Sequence, residues 1–174
     1  YAYFVRSPHA RAKIKGIDTS KASKARGVVK VLTGKDLATD KIGGMIAGWK
    51  IVSQDKKDMK VPPHAALASD SVNYVGDHVA VVIAETLEQA KNAAELVKVN
   101  YKVLKAVVNT GDAMNSEPIH EGIEKNLCFD FGLGDKAKTD EAFSKADKVV
   151  KIDLINNRLI PNAMEPRASI GDYN

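Results

Sequence analysis

The chain has 174 residues, 44% hydrophobic and 28% charged, a balance that permits a buried core. No apolar run approaches membrane-helix length, no charged n-region leads into an apolar h-region, and the lone Cys128 excludes disulfide frameworks and cysteine-built metal clusters. The net charge of +4 is uneven, with 14 Lys and Arg against 5 acids over residues 1–60 and 12 against 17 thereafter.

The early basic residues (Arg6, Arg11, Lys13, Lys15, Lys21, Lys24, Arg26, Lys30) are scattered among strand-like apolar ones, and aromatic residues are only 6% of the chain. A solvated or subunit-docking surface is therefore expected in preference to a nucleic-acid site. Residues 1–6 (YAYFVR) and 12–17 read as short strands around a Ser7-Pro8-His9 turn, with Gly16 marking a bulge. A polar helical turn over 21–26 ends at Gly27, and 28–32 (VVKVL) is a β-branched strand closed by Thr33-Gly34. From 38 to 63 periodicity is lost, which predicts a flexible or partner-contacting loop.

Residues 66–68 and 72–75 read as short strands, and Gly76-Asp77 as a turn. The uninterrupted run 79–84 (VAVVIA) predicts a strand buried on both faces. Thr86 and Gln89 have the spacing of a capping box before a helix over 87–97, in which Leu87, Ala90, Ala94 and Val97 form one stripe. Residues 98–104 (KVNYKVL) alternate as a strand, with Val99, Tyr101 and Val103 on one face. Gly111-Asp112, Asn115-Ser116, Pro118 and Gly122 punctuate 105–132, which predicts a linker. Asp135 is placed to cap a helix over 136–146 that buries Phe143 and Ala146; a strand at 148–154, a turn at 156–161 and a strand from Ala168 follow. Tyr1 at the start and a strand-like end lead to the expectation of a piece from a longer protein.

Chemistry-bearing motifs are sparse. His9, His64, His78 and His120 stand singly, without a second histidine at i+3 or i+4, and each reads as a surface or hydrogen-bonded core residue. Gly132-Leu133-Gly134-Asp135-Lys136-Ala137 fits G-x-G-x-x-A, but Asp135 puts a carboxylate where a pyrophosphate would sit, so a helix-capping loop is expected. Thr33-Gly34-Lys35 lacks a phosphate loop's glycine at 29 and hydroxyl at 36. Ser7, Ser53, Ser69 and Ser169 lie in no nucleophile elbow, and Cys128 has no basic neighbour to activate it. In Met164-Glu165-Pro166-Arg167 an acid and a base two apart in an extended segment point the same way. They allow a ligand contact or, more simply, an ion pair at a strand start.

Arg6-Ser7-Pro8-His9-Ala10, Ile17-Asp18, Gly27-Val28-Val29, Leu32-Thr33-Gly34-Lys35-Asp36-Leu37 and Val72-Asn73-Tyr74-Val75-Gly76-Asp77-His78-Val79-Ala80 occur in order, followed by the helix over 86–97 and Val99-Asn100-Tyr101. As a set they resemble the α/β hammerhead domain of the xanthine dehydrogenase, aldehyde oxidase and carbon monoxide dehydrogenase family. Gly134-Asp135, Ala142-Phe143, Ala146-Asp147 and Met164-Glu165-Pro166-Arg167 resemble the start of the molybdopterin-binding domain that follows in that family. The resemblance implies an α+β fold. A hammerhead domain over 1–104, with a mixed sheet and one well-packed helix, is followed by a linker over 105–132. The first helix and strands of a second α+β domain then occupy 133–174.

The resemblance also implies the N-terminal portion of a molybdenum hydroxylase large subunit, an oxidoreductase carrying molybdopterin cytosine dinucleotide. Its substrate would be carbon monoxide, an aldehyde or a purine, with electrons leaving through [2Fe–2S] and FAD on partner subunits or domains of a cytoplasmic oligomer. No catalytic, cofactor-binding or metal residue is carried over; Glu165 and Arg167 match a family motif without an assigned role. The chain alone is expected to be inactive and to bind no cofactor, contributing scaffolding and subunit contact through its basic first segment and the 38–63 loop. The alternative is a free-standing hammerhead-fold binding module without redox activity, and a basic RNA-binding domain ranks below both.

Overall fold

The regular elements of the computed structural model are strands β1 (Ala2–Arg6), β2 (Ala12–Asp18), β3 (Val28–Thr33), β4 (Ser71–Val72), β5 (His78–Ala84) and β6 (Lys98–Val103), with helices α1 (Gly34–Thr39), α2 (Leu87–Ala94) and α3 (Lys136–Lys145). All residues are described except Arg158, Ile160, Pro161, Pro166 and Asn174. The fold divides into two units, Tyr1–Gly132 and Leu133–Asn174.

In the first unit the uncharged run of β5 does what its composition dictates. It is the middle strand of the sheet β1-β5-β3, and Val79 and Val82 are both fully buried. Val79 packs with Ala12, Ala68 and Val72, while Val82 meets Ala93 and Ala94 of α2. The second sheet, β4-β2-β6, presents Ile14, Ile17, Val99 and Tyr101 to the Val79 side. Among the described residues there are two sheets in place of one mixed sheet, and every ladder is antiparallel. The α+β character stands, because α2 covers one sheet and the chain returns from it through β6. The register of β2 on β6 shifts between Ile14 and Gly16, the bulge that Gly16 predicts.

Helix α2 begins with the expected box: Gln89 N–H donates to Thr86 Oγ1 (3.2 Å), and Thr86 N–H donates to Gln89 Oε1 (3.0 Å). It ends three residues short of the expected Val97. Its buried stripe is Ala90, Ala93 and Ala94, while Leu87 in the first turn stays exposed. Thr33-Gly34-Lys35-Asp36 proves to be a helix start, with the Asp36 carboxylate accepting from both Thr33 N–H and Thr33 Oγ1 (2.7 Å each). Those Thr33 hydrogen bonds hold the Asp36 carboxyl below its ordinary range.

The 72–75 strand shrinks to β4, and 66–68 forms no strand, although Leu67 and Ala68 are buried. The Asp77 carboxylate accepts from Asn73 N–H (3.1 Å), and this turns the backbone where a longer strand was expected. Within the 38–63 loop, Val52 and Asp58 bridge a turn, and Lys60 N–H and Gln54 N–H donate to the carbonyls of Cys128 and Asp130. Residues 105–132, expected as a linker, therefore lie inside the first unit. Asn126 staples them: its Oδ1 accepts from Ile119 N–H (2.8 Å), and its amide donates to the carbonyls of Ala113 (2.9 Å) and Glu117 (3.2 Å).

In the second unit Asp135 accepts from Lys138 N–H (3.0 Å) and caps α3. Ion pairs Lys136–Asp140 and Glu141–Lys145 line the exposed helix, at a few tenths of a kcal/mol each (about 0.3). Phe143 is 60% exposed and Ala146 is also exposed, against the expectation of a buried side. The described residues of 148–154 and of 168 onward form no strand. A strand needs a neighbour for its backbone groups, and the described residues of this unit form no other strand. The turn expected at 156–161 includes Arg158, Ile160 and Pro161, which lie outside the described residues.

Candidate functional site

The stretches 6–10 and 72–80 lock together where β1 ends and β5 begins. Ser7, 2% exposed, donates its N–H to Asp77 O, and Gly76 N–H donates to Ser7 O (2.8 Å each). Gly76 has φ +91°, a conformation that favours glycine, and so closes the turn before β5. Ser7 Oγ accepts from His9 N–H (3.0 Å), and the His9 ring meets Tyr101 edge-on, with centroids 5.0 Å apart.

Beside this lock lies a cleft of about 680 Å³. One wall is Met45, Ile46 and the Val61-Pro62-Pro63-His64 strap; the others are the 68–77 segment and Ile119-His120. Met45 N–H donates to His64 O (2.7 Å), tying the strap across. His64 Nε2 and Tyr74 Oη share a hydrogen bond of 3.1 Å, their rings edge to face. Burial, and then the nearby Asp77, pushes the Tyr74 phenol up. His120 is pushed down by burial and then by Arg11; His78 is pushed down by burial and then by Arg6. The arrangement offers hydrogen-bonding rings in an apolar cleft. No nucleophile stands beside an oriented base, and no group of three metal-ligating side chains occurs among the described residues.

These two depressed histidines set a pH dependence. Folded values below the unfolded value of about 6.5 mean their contribution is present above that pH and is lost as the pH falls toward the folded values. Stability between about pH 7 and 5 is expected to decline less steeply in the His78→Gln/His120→Gln variant than in the parent. Urea midpoints across that range check this; parallel slopes would count against it.

The structure brings His64, Tyr74, Asp77 and His120 to one cleft, a grouping that no spacing in the sequence betrays. The other motifs stay apart from it. Cys128 is half-buried, and its carbonyl, not its thiol, serves the fold by accepting from Lys60 N–H. At Gly132–Ala137 the helix N-terminus is filled by the capping Asp135 carboxylate. Glu165 and Arg167 are exposed residues of the second unit, with no ion pair between them among the described residues and no strand start beside them.

Residues 1–105 match the family model "aldehyde oxidase and xanthine dehydrogenase, a/b hammerhead domain". The nicotine 6-hydroxylase large subunit of Paenarthrobacter nicotinovorans is 34% identical over 99% of this chain and 20% of its own length. The carbon monoxide dehydrogenase large chain of Afipia carboxidovorans is 35% identical over 93% of this chain and again 20% of its own. Among solved structures, reconstituted CO dehydrogenase from Oligotropha carboxidovorans superposes with a TM-score of 0.67 at 33% identity, over 84% of this chain and 19% of that one. The chain thus spans about a fifth of the length of these relatives.

Proposed function

Because the chain belongs to the aldehyde oxidase and xanthine dehydrogenase a/b hammerhead family, we propose that it is the N-terminal portion of a molybdenum hydroxylase large subunit. The observation that carries the reading is the pairing of near-complete coverage of this chain with one-fifth coverage of oxidoreductase subunits. In this reading residues 1–104 are the hammerhead domain and 133–174 open the molybdopterin-binding domain, with Glu165 and Arg167 in its entry segment. The apolar pattern at 148–154 supports it: Val150 (79% exposed), Ile152 (73%) and Leu154 (80%) lack the cover that a strand with this alternation requires.

The iron–sulfur clusters of such an enzyme do not fit the donor set of these residues. A [2Fe–2S] cluster takes four thiolates or two with two imidazoles, against one cysteine here. Among the described residues no three His, Cys, Asp or Glu side chains are placed to hold a metal ion, those of the cleft included. Molybdopterin cytosine dinucleotide is assigned to the remainder of the large subunit, and [2Fe–2S] and FAD to partner subunits or domains. The role assigned to the present residues is scaffolding and subunit contact within an oligomeric cytoplasmic complex that hydroxylates a carbon centre or oxidises carbon monoxide. No helix among the described residues is long and apolar enough to cross a membrane.

Sequencing downstream of the Asn174 codon, then expressing the entire frame with neighbouring flavin and iron–sulfur genes, tests the reading. A frame of several hundred further residues whose product carries molybdenum, iron and flavin by metal analysis and absorbance is expected. A prompt stop codon with no partner gene nearby would leave the free-standing binding module in its place.

A further inference from the structure

The outward face of the second sheet carries an imbalance of charge that its fold does not use. Ala12, Ile14 and Ile17 of β2 and Val99 and Tyr101 of β6 point to the core. The exposed positions between them are Lys13, Lys15, Gly16 and Asp18 on β2, and Lys98, Asn100 and Lys102 on β6. Lys13 stands directly opposite Lys102 in the ladder, a like-charge pairing that costs stability, whereas Asp18 stands opposite Lys98. Asp18, the one acid among these positions, accepts from Ser20 N–H (2.9 Å) and stands at the Lys98 end of the ladder, away from Lys13, Lys15 and Lys102. None of the three takes part in an ion pair among the described residues.

Two ordinary explanations leave the pairing of Lys13 with Lys102 unaccounted for. Lysine often guards an edge strand against unwanted pairing; Lys15 beyond the end of β4 and Lys102 on the edge strand β6 fit that use, but Lys13 is paired on both sides, by Ser71 and by Lys102, and guards no edge. Solubility is served by interspersed signs, whereas here the lysines cluster on one side.

We propose that the Lys13–Lys15–Lys102 face of the β2–β6 ladder docks a carboxylate-rich surface of a partner protein subunit. The inference rests on the large-subunit reading above. Docking charge there relieves the Lys13–Lys102 repulsion and steers association, so the interaction is strongest at low salt.

The test uses the complete large subunit co-expressed with its flavin and iron–sulfur subunits, and measures dissociation constants at about 50 and 500 mM salt. The Lys13→Glu/Lys15→Glu/Lys102→Glu variant is expected to bind about tenfold more weakly or worse at low salt, and to lose most of the salt dependence. The Lys13→Gln/Lys15→Gln/Lys102→Gln variant falls between, with a thermal midpoint no lower than the parent's. That midpoint separates lost docking from lost folding. The Lys91→Glu/Lys148→Glu/Lys151→Glu variant makes the same charge change at exposed positions outside the basic first segment and is expected to bind as the parent does.

Equal weakening by both glutamate sets, or by neither, overturns the docking face while leaving the large-subunit reading intact. Failure of the parent to co-purify with either partner overturns the larger reading, and this one with it. Titration with poly(dT) that binds the parent and not the first variant overturns the assignment in favour of nucleic acid.

Discussion

The Gly34→Ala variant is expected to unfold at a lower urea concentration than the parent, by the equivalent of about 2 kcal/mol. Gly34 is buried as the first residue of α1, where the helix start presses against the 67–68 backbone. A Cβ there would lie 2.8 Å from Leu67 O and 2.9 Å from the carbonyl carbon and oxygen of Ala68. These are backbone atoms, and one of their neighbours is anchored by the bond from Ala68 N–H to His78 O (2.7 Å). No rotamer change relieves the clash, so either α1 or the 67–68 segment must move. Overpacking of this kind costs about 1–3 kcal/mol, sometimes more, and alanine's better helix propensity returns at most about 1. Gly43 and Gly48 have nothing within 4 Å of a built Cβ, and alanine at either is expected to change stability by less than about 0.5 kcal/mol. Equal midpoints for Gly34→Ala and Gly43→Ala would show that the close approach has no energetic consequence.

That glycine illustrates what the sequence concealed. Local signals were legible: β5 from its unbroken apolar run, the α2 start from Thr86 and Gln89, the β2 bulge from Gly16. Each depends on residues within a few positions of one another. The start of α1 was local too, yet it went unread because Asp36 fills the place usually held by Glu or Gln, and a glycine follows the cap. What could not be read was long-range. Pairing β2 with β6 joins Ala12 to Val103 and splits the strands into two sheets, and no property of either strand alone selects that partner. Residues 105–132 carry the composition of a linker, but Arg11 donates to the carbonyls of Lys105 and Pro118 (3.2 Å each) and holds them on the domain. The cleft has the same origin: His64, Tyr74 and His120 are unremarkable singly and meet only through the tertiary fold. The apolar residues at 148–154 suit a strand but supply no neighbour for one.

The second large effect concerns β5 itself. Val79→Ala and Val82→Ala are each expected to cost about 2 kcal/mol, because each deletes methyl groups from a fully buried site that neighbouring backbone cannot fill. Three residues apart on one strand, the two side chains stand on opposite faces about 10 Å from each other. Val79 packs toward Ala12 and Val72, Val82 toward Ala93 and Ala94, and the two sets share Val5 of β1 as a common neighbour. If the strand separates two packing regions, the double variant loses the sum, about 4 kcal/mol, with a coupling below about 0.5. Against a domain stability of about 5–15 kcal/mol that is enough to leave the fold marginal. A coupling above about 1 kcal/mol in the double-mutant cycle would mean that Val5 transmits repacking from one side to the other. The two sheets would then enclose a single core, and β5 would be a strand within it rather than the wall between two.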